Sequence, residues 1–196
     1  MKVKKIGIFS GTFDPIHVSH ITIAKAAKAQ LRLDEVWFLV NKTPTKKPTA
    51  TIYRHRLAMV KLAIEKIPDL HIDPTEQMAT ADSYSYKSFM MMRRLMPDAV
   101  FTLIAGIDTI SSFYEWENRD SLMGEVNFAI APREGWDIDE VTSMLEKLGE
   151  SSKSFKYKII DVSPSSTSSS NARQNTDLQG VDETVRAYIM RNHLYT

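Results

Sequence analysis

Short apolar runs alternate with longer stretches of helical spacing from one end of this chain to the other. Residues 3–9, 35–40, 70–72, 99–105, 126–131 and 156–162 are short and dense in branched or aromatic side chains, the pattern of buried strands. Between them lie segments with apolar residues three or four apart. The clearest is an alanine-rich stripe of Ile21, Ile23, Ala24, Ala27 and Leu31, which predicts a helix over 18–31. Similar spacing predicts helices over 53–67, 83–96, 138–148 and 181–192, with a broken one over 110–123. Most of these strands read as apolar rather than alternating with polar residues, so both faces of their sheet must be covered. The expected fold is therefore α/β: a Rossmann-like, doubly wound parallel sheet with helices on both faces. It forms one domain over 1–196, in which 163–196 is a C-terminal loop and helix subregion.

Such sheets bind ligands beyond the carboxyl ends of their strands, where the strand order reverses. The segments at 10–20, 41–47, 106–108 and 163–173 all follow strands and are where chemistry is expected. The first runs from strand through Ser10-Gly11-Thr12-Phe13-Asp14-Pro15 into a helix carrying His17 and His20. A helix start offers N–H groups and a partial positive charge to an anion, and histidines at i and i+3 share one face. The bland alternative is a connection with two surface histidines. The second segment opens a span from Val36 to Ile64 with six basic residues (Lys42, Lys46, Lys47, Arg54, Arg56 and Lys61) and no acidic one. That is either a solvated basic face or a positive field for a small polyanion. Gly106-Ile107-Asp108 offers a close backbone approach and a carboxylate for ribose hydroxyls. By composition 163–173 (SPSSTSSSNAR) is a serine linker, but it ends in Arg173 just where a helix could begin.

Composition narrows the partners. With a net charge of +1 the chain has no overall attraction for nucleic acid or a membrane surface, and neither is expected as a partner. The absence of cysteine excludes disulfides, thiolate zinc sites and a cysteine nucleophile. Lys2, Lys4 and Lys5 precede an apolar run that Gly7, Ser10 and Gly11 break, so no signal-peptide core forms, and no run of 18 apolar residues occurs. A cytoplasmic location is the expectation; oligomeric state is not legible, and a homo-oligomer is compatible with all of this.

Gly11-Thr12-Phe13-Asp14-Pro15-Ile16-His17-Val18-Ser19-His20 resembles the signature of the nucleotidyltransferase superfamily, and in wording the bacterial nicotinate mononucleotide adenylyltransferases. That family usually has Gly-Gly where this chain has Ser10-Gly11, and His-x-Gly-His where it has His17-Val18-Ser19-His20. The loop Asn41 to Lys47 is similar to the family's Asn, Pro and basic pair, with Lys46 where histidine is commoner. Tyr84 and Ser85 match an element that helps hold the pyridine carboxylate, and the Gly106-Ile107-Asp108 turn is followed by Phe113 and Trp116 in the family's spacing. Arg133-Glu134-Gly135 resembles an Arg-Pro-Gly turn. Thr167 to Arg173 resembles Ile-Ser-Ser-Thr-x-x-Arg, with Thr167 replacing the apolar residue and Ser170 the threonine.

The resemblance implies adenylyl transfer from ATP to nicotinate mononucleotide, giving nicotinate adenine dinucleotide and pyrophosphate, a step of NAD biosynthesis. It implies His17, His20, Lys46 and Arg173 as catalytic residues. Ser10, Gly11, Thr12, Phe13, Gly106, Asp108, Ser168 and Ser170 would bind ATP; Tyr84, Ser85, Trp116 and Arg133 would bind the pyridine nucleotide. Mg²⁺ would arrive with ATP, since no carboxylate cluster offers a dedicated metal site. Related acceptors (nicotinamide mononucleotide, phosphopantetheine or a phospho-alcohol) remain open on sequence grounds, as does a nucleotide-binding protein that has lost catalysis.

Overall fold

The computed structural model describes residues 2–42, 44, 50–73, 86–116, 118–133, 135–151, 154–163, 169–174 and 178–195. Six strands form one sheet: β1 (Lys5–Gly11), β2 (Glu35–Val40), β3 (Leu70–Ile72), β4 (Val100–Gly106), β5 (Asn127–Ala131) and β6 (Lys156–Ile159). Their order is β3-β2-β1-β4-β5-β6 and every pairing is parallel. Between them run α1 (Val18–Leu31), α2 (Tyr53–Ile64), α3 (Tyr86–Leu95), α4 (Ile107–Ile110), α5 (Arg119–Glu125) and α6 (Ile138–Ser151). The chain closes with α7 (Ser169–Gln174) and α8 (Glu183–Arg191).

The two-residue period of a strand sends alternate side chains to opposite faces, and β2 shows the consequence. Trp37 and Leu39 join one core with Phe89 and Met92 of α3 and Val141, Leu145 and Leu148 of α6. Val36, Phe38 and Val40 join the other, with Ala24 and Ala27 of α1, Met59 and Val60 of α2 and Val185 and Ile189 of α8. The sheet is therefore doubly wound, as the largely apolar strands require. Gly7 lets the α1–β2 connection lie against the sheet, because a Cβ there would come within 2.8 Å of Leu33 Cδ1 and 2.9 Å of Ile104 Cδ1. No helix of the described residues is long and apolar enough to cross a membrane.

Several expected elements shift their bounds, β1 and α6 among them. The helix expected over 53–67 stops at Ile64, ahead of Pro68. The broken helix at 110–123 resolves into α4, a 3₁₀ turn Phe113–Glu115 and α5, with Asn118 in the left-handed region (φ 56°) capping the last. The final strand, expected to reach 162, ends at Ile159. The changes over 53–67 and 110–123 come from local backbone chemistry that apolar spacing does not encode.

The register places the cleft. β1 pairs with β2 as far as Gly11↔Val40, and β4 with β5 as far as Gly106↔Ala131. Pairing between β1 and β4 stops at Phe9↔Ile104. Their last two residues therefore part at the one point where chain order reverses, which is where open α/β sheets take ligands.

Candidate active site

Where β1 leaves the sheet, Gly11 is required by the ring that follows: a Cβ at this position would approach Phe13 Cζ to 2.8 Å. Phe13 takes a left-handed backbone (φ 50°) and is buried, edge-on to Phe9 (5.6 Å) and to the His20 ring (5.1 Å). This aromatic floor supports His20. His17 is the N-cap of α1, and its ring lies 3.8 Å from that of His20. The His17 backbone N–H donates to His20 Nδ1 at 3.2 Å, so in neutral His20 the ring proton is carried by Nε2. Ser19, where the resembled family has glycine, is the second residue of α1 and is buried.

Free helix amides are expected to attract the anion here, and two of the first ones are engaged within the protein. The Val18 N–H is spent on the Gly180 carbonyl (2.8 Å) and the His20 N–H on the His17 carbonyl (3.0 Å). Side chains and the helix dipole remain as the positive elements at this end of α1.

Burial holds the His17 imidazole far below its ordinary value, at about 4, with the charge of Arg133 adding to the effect. Its Nδ1 is enclosed, with no hydrogen-bond partner among the described residues. His17 is thus neutral at physiological pH. The unfolded chain, with this histidine titrating near the ordinary 6.5 of a free imidazole, takes up a proton that the folded chain refuses between about pH 6.5 and 4. Stability should therefore fall as pH drops through that window, by roughly 3 kcal/mol in all, and be independent of this group above it. Urea denaturation of the parent and of His17→Gln at intervals from pH 7.5 to 4.5 checks this: the parent curve should descend more steeply. Parallel curves would refute it.

Residues from the far end of the chain close on the same turn. The Ser169 hydroxyl of α7 donates to the Pro15 carbonyl (2.9 Å). The Arg173 guanidinium donates to the Asp14 carbonyl (2.5 Å) and to Ser170 Oγ (3.3 Å), and lies 4.0 Å from the Asp14 carboxylate. That carboxylate is buried; it accepts from the Tyr195 hydroxyl (2.6 Å) and the Thr51 N–H (3.1 Å). Burial and the neighbouring Asp14 push the Tyr195 hydroxyl well above the usual tyrosine range, so it remains a donor. Ser10 Oγ, at the end of β1, donates to Asn41 Oδ1 (3.0 Å), and the Asn41 N–H to the Gly11 carbonyl (3.0 Å).

Across the cleft, Asp108 follows Gly106 on α4, but its carboxylate is engaged. It accepts a charge-assisted hydrogen bond from Arg133 and one from the Trp136 indole (3.1 Å). Trp116 is half-buried against Phe113, with ring centroids 5.2 Å apart. Lys46, Tyr84, Ser85 and Ser168 lie outside the described residues. The structure thus brings Ser10, Gly11, Thr12, Phe13, His17, His20, Ser170 and Arg173 to one edge of the sheet. It pairs Asp108 directly with Arg133, although the resemblance assigns them to different substrates.

Sequence reasoning passed over Asp14, Tyr195, Trp136 and, above all, Arg56. Arg56 was counted in the positive field, yet it is 1% exposed and donates to the carbonyls of Thr51, Thr12 and Lys42. The signal was present: Arg56 shares a helix face with Met59, Val60 and Ile64, all buried, and a cation on such a stripe is never idle.

Residues 8–175 match the model of the cytidylyltransferase-like family. The chain belongs to that family. Among curated relatives, a probable nicotinate-nucleotide adenylyltransferase of Shewanella pealeana is 32% identical, covering 97% of this chain and 95% of that one. One of the same description from Bacillus licheniformis is 31% identical over 98% and 99%. The fold resembles the nicotinic acid mononucleotide adenylyltransferase of Plasmodium falciparum complexed with NaAD, at a TM-score of 0.81 and 25% identity over 98% of this chain and 97% of that one. As a cytidylyltransferase-like protein with these relatives, the chain is a nucleotidyltransferase.

Proposed function

We propose that this chain transfers the adenylyl group of ATP to nicotinate mononucleotide. The acceptor's 5′-phosphate oxygen bonds to the α-phosphorus, the bond from that phosphorus to the α–β bridging oxygen breaks, and pyrophosphate leaves with the electron pair. A phosphate monoester has a second pKa of about 6, so the attacking oxygen needs no base at neutral pH. What it needs is alignment with the leaving group and stabilisation of the charge that develops.

The observation that carries this reading is the parting of β1 from β4 beside the closely packed His17–His20 pair. His20, fixed with its proton on Nε2, donates to an α-phosphate oxygen. His17 remains neutral until a phosphate oxygen approaches and raises its proton affinity, so its charge grows with the bound anion. Arg173 faces the same turn, and moving its guanidinium a short way from the Asp14 carbonyl brings it to the leaving pyrophosphate. Lys46, Ser168 and Ser170 support that group by sequence resemblance. Gly106 and the Asp108–Arg133 pair form the opposite wall, and by sequence resemblance Tyr84, Ser85 and Trp116 hold the pyridine end.

Mg²⁺ would arrive with ATP as part of the MgATP substrate. There it supplies charge neutralisation on the β- and γ-phosphates. The deciding experiment offers MgATP with nicotinate mononucleotide, nicotinamide mononucleotide, phosphopantetheine or a phospho-alcohol and follows pyrophosphate release. Release with the highest kcat/KM for nicotinate mononucleotide is expected. ATP binding by calorimetry without release on any acceptor would sink the proposal.

A further inference from the structure

Arg56 is among the largest fully buried side chains of the protein, and its guanidinium is committed to backbone. Nε donates to the Thr51 carbonyl at 2.6 Å, Nη1 to the Thr12 carbonyl at 2.8 Å and Nη2 to the Lys42 carbonyl at 3.1 Å. These carbonyls belong to three segments: the turn that carries His17 and His20, the loop leaving β2, and the entry to α2. A guanidinium is planar with donors in fixed directions, so three acceptors bound to it are fixed relative to one another. Two hydrogen bonds run between the same segments, Asn41 N–H to the Gly11 carbonyl (3.0 Å) and Thr51 N–H to the Asp14 carboxylate (3.1 Å). Tyr53 packs between the two cations, its ring centroid 5.9 Å from both Lys42 Nζ and Arg56 Cζ.

Burying a guanidinium carries a large desolvation cost, which its three hydrogen bonds to backbone carbonyls offset. Its distinctive property is the ability to join three carbonyls in one plane. We propose that Arg56 is a positioning residue: it sets the spacing between the histidine turn and the basic loop after β2, and so the alignment of the two nucleotides for transfer. This rests on the adenylyl-transfer reading above. Arg56 touches neither substrate and acts through the Thr12 and Lys42 backbone.

Arg56→Lys and Arg56→Met test it. A lysine keeps the charge but cannot span three coplanar acceptors; a methionine fills volume without donating. In both, kcat for ATP and nicotinate mononucleotide should fall on the order of 100-fold, the effect of about an ångström of misplacement, while KM for each substrate changes little. The circular dichroism spectrum should match the parent's. By hydrogen exchange, the Asn41 and Thr51 amides should exchange roughly tenfold or more faster than in the parent, as expected for local opening, with β4 and β5 amides unchanged. Near-parental kcat in either folded variant, or unchanged exchange at both amides, overturns the proposal. So does failure of both variants to fold, which would make Arg56 a structural residue. Absence of pyrophosphate release from the parent strikes the adenylyl-transfer reading instead, and the exchange comparison still decides whether Arg56 holds these segments together.

Discussion

Replacing His20 by alanine is expected to lower kcat on the order of 100- to 1000-fold and leave the fold intact. That range is what loss of one preorganised donor to a developing charge commonly costs. The preorganisation is visible: Phe13 lies edge-on to the His20 ring at 5.1 Å, the His17 ring lies tilted against it at 3.8 Å, and the His17 N–H fixes the tautomer at 3.2 Å. An alanine at this half-buried position of α1 removes the donor and costs the helix nothing in propensity. Steady-state pyrophosphate release with ATP and nicotinate mononucleotide, beside thermal melts, checks it. Turnover within a few-fold of the parent in a folded variant would remove His20 from the reaction.

Asp14→Ala should give the largest loss of stability, about 3 to 5 kcal/mol, because it strips the partner from several enclosed groups at once. The buried carboxylate accepts from the Tyr195 hydroxyl and the Thr51 N–H, and Arg173 lies 4.0 Å away. Arg173 is part-exposed and water takes over some of its solvation, so its share is smaller than for a fully enclosed pair. Tyr195→Phe removes only one donor and leaves one acceptor site unfilled; about 1 to 2 kcal/mol is expected. Urea denaturation of the two variants ranks them. Equal losses would mean that Asp14 serves only to hold Tyr195. Both variants test whether the end of the chain, more than 180 residues from the signature turn, is part of its architecture.

Much of the protein was legible before any coordinates. Largely apolar strands alternating with helical stripes specify a sheet buried on two faces, since a strand with no polar side has no solvated face to offer. The doubly wound sheet follows from that, and the expectation of chemistry after β1, β2 and β4 and at the serine-rich segment rests on the same sheet geometry. Ser10 to His20 carried enough local chemistry, a glycine where a ring folds back and two histidines one turn apart, to mark the site and suggest its family.

Other features needed the third dimension. Asp108 reads as a free ribose acceptor, but 25 and 28 residues later the chain brings back Arg133 and Trp136 to occupy it. The first amides of α1 read as an anion nest, but Gly180 returns to take one of them. Arg56 reads as one more positive charge; only packing shows it buried and pinned to three carbonyls. Patterning is set by neighbours a few residues apart, so the sequence alone determined the sheet, its coverage and the turn that starts the site. Pairing among residues tens to hundreds of positions apart depends on how the segments return to the β1–β4 edge. That closure alone decided which polar groups are spent on the fold and which are left for the nucleotides.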